Sequence, residues 1–264
     1  MTNVKIDRGG VQSSVSPSEL KVLELFSGTE CLSNAFRTRG HKCYTVDWDE
    51  KFPSNLHIDI ETLTSDMIIE SFGYPDVVFI GTDCTTFSVA AISKHRKKNP
   101  ETGNLDPVSD YAKKCDRTNI HVKQLIKELH PKIQIWENPR AGLRKMWYMQ
   151  DLYRQTTTYC QYGFAYMKPT DFFSNINLHL KPPCKNGDPC HERAPRGSRS
   201  GLQGIKGTDK RSMYPEKLCE HIVDVCEEYV YTDGLYDKCK NCANIWSSQE
   251  CEMCEEFDMY KENI

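Results

Sequence analysis

Four short apolar runs, each leaving through a turn into a more polar stretch, constrain this chain more than any other feature. They are KVLELF from Lys21 to Phe26, CYTVD from Cys43 to Asp47, PDVVFIG from Pro75 to Gly81, and KIQIWE from Lys132 to Glu137. A continuously apolar strand such as PDVVFIG has both faces covered, which is the condition of a parallel sheet packed between helices. Helical periodicity follows the first run as far as Gly40. It returns after Asp106-Pro107, where Val108, Tyr111, Cys115, Val122, Leu125, Ile126 and Leu129 share one face until His130-Pro131. Strands alternating with helices predict an α/β, doubly wound, mostly parallel sheet of Rossmann-like type, with ligands collecting at the carboxyl ends of the strands.

At 264 residues the chain is long enough for one elaborated domain. Residues 1–19 read as a flexible polar leader and residues 20–173 as the α/β core, ending in two late strands around a loop within TTTYCQYGFAYMKPTDFFSN. Residues 174–211 form a Gly-, Pro- and Arg-rich irregular insertion, and residues 212–232 a helix after Pro215 that packs back on the core. Residues 233–264 are a cysteine-bearing tail. No apolar run has the length of a signal peptide or a membrane span, so an intracellular protein is expected. The 13 cysteines are odd in number and include two Cys-x-x-Cys pairs, which fits reduced thiols with a metal site better than a disulfide framework.

The net charge of -3 conceals a strong asymmetry. Residues 174–211 carry eight Lys/Arg against three Asp/Glu, and SKHRKK (Ser93 to Lys98) adds four cations. From Met213 onward four Lys/Arg face thirteen Asp/Glu. A polyanionic partner would meet the first two segments and not the tail.

Small residues in ELFSG, Glu24 to Gly28, let a ligand approach the backbone after the first strand, without the G-x-G-x-x-G spacing of a dinucleotide site. Asp47 and Asp49 flank Trp48 after the second strand, and Asp59 follows in HIDI. These would suit a ribose and a stacked adenine, and singly would serve equally well as caps or surface residues. Cys84 in DCTTFS leaves the third strand and is either a buried structural thiol or a nucleophile. Glu137 in WENP leaves the next strand, so a thiol and a carboxyl group would face one crevice.

Taken together and in order, these landmarks resemble the DNA cytosine C5 methyltransferases, in a compact form of the phage- and virus-borne sort, over roughly residues 22–230. The resemblance implies S-adenosylmethionine as cofactor, held by Phe26, Ser27, Gly28, Thr29, Glu30, Asp47, Trp48, Asp59, Ile60 and Gly81. It implies double-stranded DNA as partner and a monomeric enzyme. Cys84 would add to cytosine C6 while Glu137 protonates N3, which makes C5 nucleophilic enough to take a methyl group. The target base would have to be flipped out of the duplex. SKHRKK would be the loop that closes on the phosphates, and the basic insertion would be a short target-recognition region whose affinity rests mainly on phosphate contacts. An RNA cytosine methyltransferase, or a non-catalytic binding module on the same fold, would share most of these residues.

The chain departs from the family pattern at four positions. Asp83 stands where the family has proline before the cysteine. A carboxylate there should raise the thiol pKa, unless it accepts a hydrogen bond from the cytosine amino group or is paired by a lysine. Lys168 and Thr170 occupy the family's Arg-x-Arg positions, so Lys168 replaces a bidentate group with a point charge. Glu24 replaces an aspartate.

In the tail, Cys239, Cys242, Cys251 and Cys254 form C-x2-C-x8-C-x2-C, the spacing of a structural zinc knuckle. Cys184, Cys190 and His191 form a second, incomplete set that the distant Cys160 would have to complete.

Overall fold

A computed structural model describes residues 19–192 and 212–232. Residues 1–18 of the leader, the second half of the basic insertion (193–211) and the four tail cysteines lie outside the described residues. A mixed seven-stranded sheet is the scaffold. Its strands are β1 (Lys21–Leu25), β2 (Lys42–Asp47), β3 (Leu56–His57), β4 (Val77–Ile80), β7 (Ile133–Pro139), β8 (Tyr153–Thr158) and β9 (Pro169–Ser174). They run in the order β3-β2-β1-β4-β7-β9-β8. The first five are mutually parallel, and the β8–β9 hairpin joins β7 antiparallel, with Glu137 opposite Phe172.

The continuous apolar strands are explained by two cores. Along β4, Val77 and Phe79 pack with Leu32 and Phe36 of α1 (Cys31–Thr38) and with Leu218 and Ile222 of α5 (Glu216–Tyr231). Val78 and Ile80 face Ile68 of α2 (Ser65–Ser71) and Val122 and Leu125 of α4 (Asp110–Leu129). Side chains alternate across a strand, so one four-residue run supplies both cores. Arg39, just after α1, pairs with Asp224 and Glu227 of α5.

The helix expected from Asp106-Pro107 begins instead at Asp110, with Ser109 Oγ accepting from the Ala112 N–H at 3.1 Å. Leu105–Pro107 is a short strand, β6, paired with β5 (Arg96–Lys98) after the short helix α3 (Ile92–His95). Proline's fixed φ suits an edge strand as well as a helix start, and the serine cap decides between them. Among the described residues no helix is long and apolar enough to cross a membrane.

Candidate active site

The strand order reverses direction at β1, between β2 and β4, so the loops leaving these strands border a crevice at their carboxyl ends. The loop after β1 is tightly specified. Phe26, Gly28 and Glu30 all have left-handed backbones, with φ of 59°, 48° and 53°. Two are not glycine, a conformational cost that surrounding contacts must offset. Gly28 N–H donates to Asp47 Oδ2 at 2.8 Å, Asp49 N–H donates to Asp47 Oδ1 at 2.9 Å, and Ser27 Oγ lies 2.9 Å from Ser54 Oγ. Asp47 therefore ties the first loop to the second.

The other residues expected around a cofactor divide by environment. Trp48 is 65% exposed beside Asp47, whereas Ile60 is buried. Thr29 Oγ1 lies 3.1 Å from Cys31 Sγ at the start of α1. Burial opposes the Glu30 carboxylate, but hydrogen bonds from Arg37 and Thr45 outweigh it and hold its pKa below the usual range. Asp59 accepts from Lys114 Nζ at 2.8 Å and caps a short turn through the Glu61 N–H. Glu24 lies beneath the loop with its carboxylate accepting from Ser33 N–H at 3.0 Å and from Ser33 Oγ. Burial pushes its pKa up to about 7 against those two bonds.

Beyond β4, the Cys84 carbonyl accepts the N–H groups of Phe87 and Ser88 at 3.1 and 2.8 Å, which winds the chain into a turn with the thiol at its start. Glu137, expected just after the strand, lies within the neighbouring β7, which the antiparallel pairing with β9 extends to Pro139. The end of β7 is pinned to the Cys84 loop by Asn138 Nδ2 donating to the Thr82 carbonyl at 3.1 Å. Lys168, at the entry to β9, puts Nζ 3.8 Å from Glu137 Oε1. Burial pushes the Cys84 thiol up to about 11. The Glu137 carboxylate adds to this, Lys168 opposes it, and Asp83 contributes after both.

Among the described residues Asp83 is not paired by a lysine. Its Oδ1 accepts from the Thr85 N–H at 2.6 Å and its Oδ2 from the Tyr111 hydroxyl, so a tyrosine and not a lysine is its partner. SKHRKK also divides. Arg96 is buried, reaching Asp116 at 2.8 and 2.9 Å and stacking 4.0 Å from the Phe87 ring centroid, while Lys94, Lys97 and Lys98 are exposed. The three lysines face solvent, whereas the arginine holds the Cys84 loop against α4.

Two residues at the site carry no sequence signal. Tyr159 OH donates to Glu137 Oε1 at 3.1 Å, and Tyr214 OH to Oε2 at 3.3 Å. A Cβ on Gly81 would meet Tyr214 OH at 2.9 Å, so the missing side chain there admits the tyrosine. Burial, then the nearby carboxylate, pushes both phenols well above the ordinary tyrosine value, keeping them as donors. Their position depends on the hairpin and α5 folding over β7, which no local pattern encodes.

No family model and no curated protein matches this chain. Among solved structures, it is similar to a prophage-encoded E. coli protein assigned as a DNA modification methyltransferase, at 16% identity and TM-score 0.45 over 67% of this chain and 53% of that one. It is similar to the S. pombe Dnmt2 methyltransferase, at 14% identity and TM-score 0.43 over 62% and 53%. The Entamoeba histolytica methyltransferase EhMeth matches at 13% identity and TM-score 0.45 over 62% and 55%. The chain spans about half the length of these structures.

Proposed function

We propose that this chain is an S-adenosylmethionine-dependent methyltransferase acting at C5 of cytosine in double-stranded DNA. The observation that carries the reading is the meeting of Cys84, Glu137 and Lys168 at the ends of adjacent strands, with the two oxygens of Glu137 hydrogen-bonded by the buried Tyr159 and the half-buried Tyr214. A thiol, a carboxyl group with fixed orientation and a cation are the groups that addition to a pyrimidine requires.

The first loop fits a nucleoside-bearing sulfonium. A Cβ on Gly28 would meet nothing within 4 Å, Asp47 offers carboxylate oxygens at the loop, and Trp48 presents an open indole face. Phe26, Ser27, Gly28, Thr29, Asp47, Trp48 and Gly81 would hold the cofactor, with Glu30, Asp59 and Ile60 shaping the walls. Bound there, the cofactor supplies an electrophilic methyl group.

The protein's own residues prepare the base. Cys84 gives its proton to solvent and its Sγ adds to C6, while Glu137 in its acid form donates a proton to N3, leaving C5 electron-rich. Lys168 lowers the cost of forming the thiolate. After methylation a base takes the C5 proton, Sγ leaves C6 as a thiolate, N3 returns its proton to the Glu137 carboxylate and the ring regains its aromaticity. The base is reached by flipping, at a cost of about a few kcal/mol. Residues 174–211 act as the target-recognition insertion, and Cys239, Cys242, Cys251 and Cys254 as a zinc-binding tail.

The test is transfer of labelled methyl from S-adenosylmethionine to duplex DNA and to RNA, followed by nucleoside mass spectrometry. 5-Methyldeoxycytidine is expected. 5-Methylcytidine in RNA alone would move the substrate class. Neither product, from protein that binds the cofactor, would overturn the enzymatic reading in favour of a binding module.

A further inference from the structure

Ile176 and Leu178 anchor the start of the basic insertion in the core, but the residues that follow them keep a defined path with little hydrophobic reason for it. From Lys181 to Glu192 there is no helix or strand, and no residue is fully buried. A segment that buries so little apolar surface cannot offset its ordering entropy by the hydrophobic effect. It is held by a few hydrogen bonds, among them Cys184 N–H to Thr158 Oγ1 at 3.0 Å and Glu192 N–H to the Ala165 carbonyl at 2.7 Å, and by a convergence of side chains.

Those side chains are Cys184, Cys190 and His191 from the segment and Cys160 from the turn after β8. The sulfur pairs Cys160–Cys184 and Cys160–Cys190 are 3.2 and 3.7 Å apart, and His191 Nδ1 lies 3.6 Å from Cys184 Sγ and 3.5 Å from Cys190 Sγ. All four donor atoms lie within 4.8 Å of one another. Bonds of about 2.3 Å to sulfur and 2.0–2.1 Å to nitrogen at tetrahedral angles give edges of about 3.8 Å between sulfurs and about 3.5 Å from sulfur to nitrogen. The cluster has the dimensions of that tetrahedron, and the Cys160–Cys184 separation is far beyond the roughly 2.05 Å of a disulfide. Among the described residues His191 Nε2 has no hydrogen-bond partner, and the two sulfurs are the polar neighbours of Nδ1.

We propose that Cys160, Cys184, Cys190 and His191 form a structural Cys3His zinc site, separate from the tail cysteines, that fastens the start of the basic insertion to the turn carrying Tyr159. Four protein ligands close the tetrahedron, so the ion has no open position for chemistry. Binding releases the thiol protons to solvent, and its free energy supplies the order that packing does not. Tyr159 adjoins Cys160 and donates to Glu137, so the ion braces one wall of the catalytic crevice while ordering the segment that leads into the insertion.

The test is zinc content per chain, by elemental mass spectrometry, on the full-length protein and on a Cys184→Ser/His191→Ala variant, both purified without chelator. A loss of one zinc per chain in the variant is expected; equal zinc in the two would overturn the site. A second form, with Cys239, Cys242, Cys251 and Cys254 all changed to Ser, keeps the site testable if the double variant does not fold. Loaded with cobalt(II), it should show the intense visible bands of a tetrahedral thiolate complex. Folded protein without those bands, or a Cys160–Cys184 disulfide in peptides from the reduced preparation, would contradict the proposal.

Discussion

Lys168 Nζ lies 3.8 Å from Glu137 Oε1 and 4.5 Å from the centroid of the Tyr159 ring, whose hydroxyl donates to the same carboxylate oxygen. The cation is thereby fixed between the acid and the phenol, close enough to Cys84 to oppose the rise in its pKa. Lys168→Met should lower kcat by about 10²–10³-fold, the usual cost of removing a preorganised electrostatic group, with little change in cofactor affinity. Lys168→Arg should keep part of the rate because the charge remains. Equal losses in both variants, measured with folded protein, would mean the lysine acts through shape and not charge.

The Cys84 thiol, pushed up to about 11 mainly by burial, should be sluggish toward alkylation at neutral pH. Its iodoacetamide rate, followed by peptide mass spectrometry, should climb with pH toward that value. Glu137→Gln should accelerate the neutral-pH reaction more than Asp83→Asn, since Asp83 is engaged by Tyr111 and Thr85 and contributes less to the shift. A larger effect from Asp83→Asn would mean that the adjacent carboxylate, and not Glu137, is the stronger charge acting on the thiol.

Glu24 makes stability depend on pH in a window the structure defines. Between 4.5 and about 7 the folded protein holds a proton that the unfolded chain has lost, so this residue's contribution is fully present below 4.5 and is lost as the pH rises through 7. Glu24→Gln removes the ionisation. The variant should gain on the parent between pH 5 and pH 8, by about 3 kcal/mol at most in urea unfolding. Parallel pH profiles for the two proteins would contradict the burial argument.

The cations of the segment after Cys84 should separate by role. Arg96→Ala leaves Asp116 without its buried partner and should cost about 3–5 kcal/mol of stability. Lys94→Ala, Lys97→Ala and Lys98→Ala together should leave unfolding nearly unchanged. They should weaken duplex binding and reduce its salt slope by about 3, if each lysine meets one phosphate. Binding titrations at several salt concentrations distinguish the two outcomes.

The parallel half of the sheet is legible because its signal is local. PDVVFIG is apolar at nearly every position, and each residue of the strand it forms answers to one of two cores. The candidate nucleophile and acid are legible for a related reason, since Cys84 lies in the turn after β4 and Glu137 in the last residues of β7, both strands the sequence marks. Cys160 is named from the sequence as the residue that would complete the Cys184, Cys190 and His191 set, and the cluster agrees with that grouping. Tyr159 and Tyr214 are different. Each depends on the hairpin and α5 returning to β7, a long-range event that spacing along the chain does not carry. Arg96 misleads for the opposite reason. It shares the composition of a phosphate-binding run, yet the short β5–β6 pairing turns it toward Asp116.

The most direct test of Cys84 as the nucleophile of a DNA methyltransferase is a covalent trap. The protein is mixed with S-adenosylmethionine and duplex DNA carrying 5-fluorocytosine in many sequence contexts, with matching RNA in parallel, and run on a denaturing gel beside Cys84→Ala. Fluorine at C5 cannot leave as a proton does, so an enzyme that adds through Cys84 becomes locked to its substrate. A DNA adduct that forms with the parent protein and is absent from Cys84→Ala is the predicted result. An adduct that persists in Cys84→Ala, or none on either polymer from folded protein that binds the cofactor, would contradict it.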